Sequence, residues 1–200
     1  MKFFISFVLI NFYILSVSSA FADVKNKDID YVYKLLQQKE FAQGVEQLKI
    51  LSSNNDINAQ LLYSKILFSG DLIPQDFENS YFWASSAFLG GLKKSKKIID
   101  KLNDYLTEKQ IDSIKDKIKI FLEKRAFTKD KRAIIQIAKF YEGYINPPDM
   151  INAYTWYNIA VANGIKTAKN KRNETLSELN QKDLLEAQTL SIKLFKQINN

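Results

Sequence analysis

From Lys27 onward, apolar residues recur at intervals of three and four, and the two-residue alternation of a strand is missing. The first such run, Lys27 to Lys39, puts Ile29, Val32, Tyr33 and Leu36 on one helical face. The second, Glu40 to Ser53, carries Phe41, Val45, Leu48 and Leu51. Ser52-Ser53-Asn54-Asn55-Asp56 reads as a turn whose polar side chains cap the helix that follows. Beyond it the spacing predicts helices over Ile57–Ser69, Asp76–Leu89, Lys93–Tyr105, Glu108–Lys124, Lys129–Glu142, Asp149–Ala162, Lys166–Leu179 and Gln181–Gln197. Local signals agree with these limits. Asp76 and Asp149 stand at N-cap positions just after prolines, Thr107 to Gln110 has the form of a capping box, and Asn180 caps the last helix with Asp183 in its first turn. Gly91 and Gly164 fall where a left-handed residue ends a helix. The expected class is all-α, with about ten helices.

The helices repeat. Gly70 to Lys93 pairs without a gap with Gly143 to Lys166, 73 residues on, and nine of the 24 positions are identical. The shared positions are Gly70/Gly143, Pro74/Pro147, Asp76/Asp149, Asn79/Asn152, Tyr81/Tyr154, Trp83/Trp156, Ala87/Ala160, Gly91/Gly164 and Lys93/Lys166. A fixed period of this length is the signature of stacked supersecondary units. In the helix after each aspartate, Ser80, Trp83, Ala84, Ala87, Phe88 and Gly91 form one stripe, matched by Ala153, Trp156, Tyr157, Ala160, Val161 and Gly164. Small residues alternate with large ones there, which lets a neighbouring helix approach closely. Both tryptophans are therefore expected in the core. Tyr81 and Tyr154 lie beside the stripe and are weak candidates for contact with a partner, packing between repeats being the plainer reading.

These residues resemble the Sel-one-like repeat (SLR), a helix pair related to the tetratricopeptide repeat. Ala59-Gln60, Gly70, Ile73-Pro74, Asp76, Trp83, Ala87 and Gly91 fall on its pattern, as do Gly143, Pro147, Asp149, Ala153, Trp156, Ala160 and Gly164 in the later copy. The departures are Ser80 and Phe88 in place of alanines, Ser64 and Ile137 in place of a packing glycine, and Arg132 in place of the opening alanine. They suggest degenerate units with locally altered spacing. The resemblance implies a short right-handed α/α solenoid of stacked antiparallel helix pairs, whose relatives serve as adaptors for protein complexes, often in the bacterial envelope. It carries no catalytic residues. On this reading residues 26–55 are a worn first pair, with 56–125 and 129–198 the two units of a single domain spanning 23–200.

The N-terminus changes the expected location. Lys2 precedes an apolar run, Phe3 to Leu15, and Ala20-Phe21-Ala22 has the form of a cleavage site. Residues 1–22 are therefore expected to be a cleaved signal peptide, leaving a periplasmic or secreted chain with no transmembrane segment. An exported chain without cysteine must rely on its core. The net charge of +7 rests on 29 basic residues, of which only Arg125, Arg132 and Arg172 are arginine. Lysines interleaved with acids form no single-sign face, so nucleic acid is not an expected partner.

Candidate chemistry adds little. The chain has no histidine and no cysteine, so the commonest general base, thiol nucleophiles and thiolate metal sites are missing. No phosphate-cradling loop or nucleophile elbow appears, and no cofactor or metal is expected. Helical acid pairs such as Asp112/Asp116 and Glu174/Glu178 read as solvated faces. The favoured expectation is a non-catalytic exported scaffold that binds a protein or peptide of the cell envelope. The alternative is a binding protein for cell-wall glycan or peptidoglycan, or a carboxylate-dependent glycan enzyme, for which Glu142 and Asp71, beside repeat glycines, are the candidate acids. A desolvated carboxylate in a cleft separates the two.

Overall fold

A computed structural model describes residues 28–200; the expected signal peptide, residues 1–22, lies outside them. The described residues form ten α-helices and no strand. The described residues divide into two compact units, one ending at Gln47 and the other running from Leu48 to Asn200. In the first, α1 (Ile29–Gln37) is capped by Asp28, whose side chain accepts from the Tyr31 N–H at 3.1 Å. Val32 and Leu35 are buried, and Gly44, in the part of α2 (Phe41–Ser53) that precedes the boundary, sits so close to Leu36 that a Cβ there would lie 2.9 Å from the leucine Cδ2.

The second unit holds α3 (Ile57–Ser69), α4 (Phe77–Leu89), α5 (Lys96–Leu102), α6 (Glu108–Phe127), α7 (Lys131–Lys139), α8 (Met150–Ala162), α9 (Ala168–Ser177) and α10 (Gln181–Asn199). Helices adjacent in sequence pack in pairs, α3 on α4 and α7 on α8, with α4 also meeting α5, α6 and α7, and α8 meeting α9 and α10. The expected caps are all present. Asp76 accepts from the Asn79 N–H at 3.0 Å, Asp149 from Asn152 at 2.9 Å and Asn180 from Asp183 at 2.9 Å, and Thr107 and Gln110 form the reciprocal box. Gly91 and Gly164 have φ of +100° and +79°, the left-handed conformation that glycine adopts without strain.

The helix limits differ from the sequence expectation where side chains compete with the helix. A 3₁₀ turn, Lys93–Ser95, precedes α5, which ends at Leu102 because Asn103 and Asp104 follow. Residue α7 Lys139 is followed by a π-helical turn, Phe140–Tyr144, in which Gly143 lies. Gly143 is thus the sequence counterpart of Gly70 without being its backbone counterpart, for Gly70 caps α3 at φ +76°.

The caps also revise the register. Asp56 and Asp130 open α3 and α7 and lie 74 residues apart, whereas Asp76 and Asp149 lie 73 apart. The missing residue is in the loop: the Asp76 N–H donates to the Leu67 carbonyl nine residues back at 3.0 Å, and Asp149 donates to Tyr141 eight residues back at 2.9 Å. Counting from the caps, Ala133 and not Arg132 matches Ala59, and Ala138 and not Ile137 matches Ser64. Both alanines are fully buried. The small residue at the pair crossing is therefore kept in both copies. In the first, Ser80 Oγ donates to the Ser64 carbonyl of α3 at 2.8 Å, and in the second Ala138 and Ala153 occupy those places.

A buried polar knot joins the α2–α3 turn to the α6–α7 turn. Asn55, 1% exposed and at φ +64°, donates through Nδ2 to Gln136 Oε1 at 2.6 Å and to Asp130 Oδ2 at 3.2 Å, and its Oδ1 accepts from Gln60 Nε2 at 3.1 Å. Arg132 Nη1 donates to the Asn55 carbonyl at 2.6 Å, Arg125 is ion-paired with Asp130 at 3.0 Å, and Gln136 Nε2 donates to the Ser86 carbonyl at 2.9 Å. Burial opposes ionisation of Asp130, yet the Ala133 N–H, the Arg125 guanidinium and the Asn55 amide outweigh it and hold its pKa below the usual carboxylate value. A depressed acid contributes stability that is complete above its unfolded pKa of about 3.9 and lost as pH falls through the folded value. Asp130→Asn should therefore lower stability at neutral pH and shrink the difference from wild type below about pH 4, as followed by urea midpoints across the acid range.

Candidate functional site

A cleft of about 670 Å³ in the second unit opens where α4, α5 and α6 of the first copy face the π turn of the second. Its floor is apolar: Phe88 from α4, Ile99 from α5, Ile111 from α6, and Tyr144. Its rim is polar, with Lys96, Asn103, Glu108, Asp112, Lys115 and Asn146. Two rim lysines are held by ion pairs within their own helices, Lys96 with Asp100 at 2.7 Å and Lys115 with Asp112 at 2.9 Å. The rim is thus ordered without a net single charge, and the arrangement suits a ligand that offers both apolar and hydrogen-bonding groups.

Tyr144 fixes the floor. Its hydroxyl donates to Ser85 Oγ, with the Tyr81 hydroxyl beside it, and its ring packs 6.4 Å from Phe88 and 5.8 Å from Phe140. Burial first, then the neighbouring Tyr81, push its pKa well above the ordinary tyrosine value, so it remains a neutral phenol.

Across the Phe88, Gly143 and Tyr144 saddle lies a smaller pocket of about 310 Å³, bordered also by Leu89, Gly91, Lys93, Lys139 and Glu142. A Cβ on Gly91 or Gly143 would meet nothing, so both glycines border open space. Lys139 is half-buried, and its ammonium donates to the Leu89 carbonyl at 3.4 Å. Burial lowers its pKa; Glu142 opposes that and Lys171 adds to it. Glu142 itself is engaged on both oxygens: Oε2 accepts from the Tyr157 hydroxyl and Oε1 from Lys171 Nζ at 3.0 Å. Lys171, which also binds Glu174 at 2.8 Å, has its pKa raised by hydrogen bonds to Glu174 and Glu142.

The tyrosines marked in the sequence take unequal places. Tyr81 is 5% exposed and borders the cleft, while Tyr154, 4% exposed, lines neither the cleft nor the smaller pocket. Neither offers a ring to solvent. The reason is topological: α4 and α8 each meet more than one neighbour, so burial spreads beyond the stripe to the positions flanking it. The tryptophans differ as well. Trp156 is 2% exposed, whereas Trp83 is only partly buried, edge-on to Phe82 at 4.7 Å and to Phe121 at 5.7 Å. Ala87 and Ala160 are both fully buried.

Of the two candidate acids, Asp71 is exposed in the α3–α4 loop and Glu142 is the paired carboxylate at the pocket edge. Among the described residues no cluster of three or more histidine, cysteine, aspartate or glutamate side chains is placed to hold a metal, and no helix is long and apolar enough to cross a membrane.

No family model matches the chain, and no curated protein matches it. Among solved structures it is similar to c5321, a protective antigen present in uropathogenic Escherichia coli strains displaying an SLR fold. The two are 15% identical, with a TM-score of 0.39, over 78% of this chain and 41% of that one. The chain thus spans less than half the length of that structure.

Proposed function

We propose that this chain is an exported repeat scaffold of the Sel-one-like kind that holds a protein or peptide partner of the cell envelope in the cleft between its two copies, and that it performs no catalysis of its own. The observation that carries this reading is the cleft itself, apolar at its floor and polar at its rim, with side chains from both copies. Export is supported by the apolar run Phe3 to Leu15 and the Ala20-Phe21-Ala22 site that follows it. Pairing with Lys171 and Tyr157 supports a structural role for Glu142, the carboxylate that borders the smaller pocket.

The test is an in-cell cross-linking pull-down with the tagged full chain and with a Lys96→Glu/Lys115→Glu variant. Both lysines lie at the rim and each pairs within its own helix, so reversing them costs the fold little. One envelope protein recovered at fixed ratio by wild type and lost by the variant is the expected result. Recovery of cell-wall glycan in its place would overturn the protein-binding reading in favour of the glycan-binding one.

A further inference from the structure

The smaller pocket beyond the Phe88 and Tyr144 saddle holds a cation that the fold leaves under-used. Ion pairs hold Lys96, Lys115 and Lys171, but Lys139 carries a half-buried ammonium whose one hydrogen bond is the long contact to Leu89 O at 3.4 Å. An ammonium has three protons to place, and removing it from water without acceptors is costly. Glu142, the carboxylate whose charge acts on Lys139, is already engaged by Tyr157 and Lys171. Lys93 stands exposed at the same rim, so two cations share the pocket with a single carboxylate, Glu142, whose oxygens are already paired. The other walls are Phe88, Leu89 and Tyr144, with Gly91 and Gly143 leaving the entrance clear of side chains. The pocket therefore asks for a ligand with a carboxylate on one side and an apolar group on the other.

We infer that this pocket is the specificity-determining subsite of the cleft, and that it takes an acidic residue adjoining an aromatic or aliphatic one in the bound segment of the partner. The acidic group pairs with Lys139 and Lys93, while its apolar neighbour lies on Phe88 and Tyr144. The inference rests on the reading of the adjoining cleft as a partner site. Phe88, Gly143 and Tyr144 border both spaces, so a segment lying in the larger one passes the smaller. A charge-assisted hydrogen bond to a half-buried ammonium is stronger than one made in water, and the neutral amide of the same shape replaces it only with a weaker bond.

The probe is the capped dipeptide acetyl-phenylalanyl-glutamyl amide, titrated into the full chain while the amide NMR signals of Gly91 and Gly143 are followed. The isosteric glutaminyl dipeptide and free phenylacetate are the comparison ligands. We expect saturable shifts at both glycines with the glutamyl probe, and binding weaker by about tenfold or more with the glutaminyl one. Lys139→Met should abolish the preference between the two, and Lys93→Gln should reduce it while leaving the fold unaffected, since that side chain is exposed. Equal affinity for the two dipeptides in the wild type would overturn the inference without any variant. So would shifts confined to other residues, absence of saturation, or binding of phenylacetate alone. Loss of the preference beside intact partner capture would sink the subsite only. Capture failing beside a clear glutamyl preference would sink the wider function only.

Discussion

Replacing Trp156 by alanine is expected to lower the unfolding free energy by about 3–5 kcal/mol, the usual cost of emptying a large buried aromatic site. Trp156 is 2% exposed in the middle of α8, among Ala153, Tyr157 and Ala160, all of them buried and all in the core of the second unit. Its indole also meets the Phe127 ring edge-on at 6.4 Å. Trp83 holds the same repeat position but is only partly buried, so Trp83→Ala should cost less, about 1–3 kcal/mol, from lost ring contacts with Tyr63, Phe82 and Phe121. Urea unfolding of both variants measures the difference. Equal costs, or a larger cost for Trp83, would mean that the two copies do not bury their tryptophans as described.

The second large effect is expected at Asn55. Asn55→Ala leaves Gln136 Oε1 without its partner and Gln60 Nε2 with the Ser52 carbonyl alone, and it puts an alanine at φ +64°. Orphaned buried groups and left-handed strain together should cost about 2–4 kcal/mol. Asn55→Gly removes the same hydrogen bonds while relieving the backbone, so it should be the milder change by about 1 kcal/mol. If the glycine and alanine variants were equally stable, the left-handed backbone at Asn55 would not matter. If neither were destabilised, the knot between the two turns would not hold them together.

The features legible in the sequence were the local ones. Asp76, Asp149, Thr107 and Asn180 declare their helices because a capping side chain acts on backbone groups two or three residues away. Gly91 and Gly164 do so because few other residues tolerate their backbone. What sequence reasoning missed depends on residues far apart in the chain. Asn55 looked like an ordinary turn residue, and Gln136 had no signal at all within α7; their contact spans 81 residues. The burial of Tyr81 and Tyr154 was hidden because a single amphipathic stripe assumes one neighbour, whereas α4 and α8 have several. The gap-free alignment placed Arg132 against Ala59, and only the caps show that one residue has left the later loop. The cleft was invisible for the same reason, since Phe88 and Ile99 come together with Tyr144 only through packing of one copy on the other. Lys139 gave no sign of its burial, being one of 26 lysines spread along the chain.

Whether the cleft between the copies holds a protein partner is decided by a photo-activated cross-linking residue placed in the living cell. At Asn103, exposed on the cleft rim, it should give one discrete protein adduct on illumination. At Lys193, exposed on α10 and outside the lining of the cleft, it should give none. An adduct from Lys193 with none from Asn103, or no adduct from either, would contradict the account.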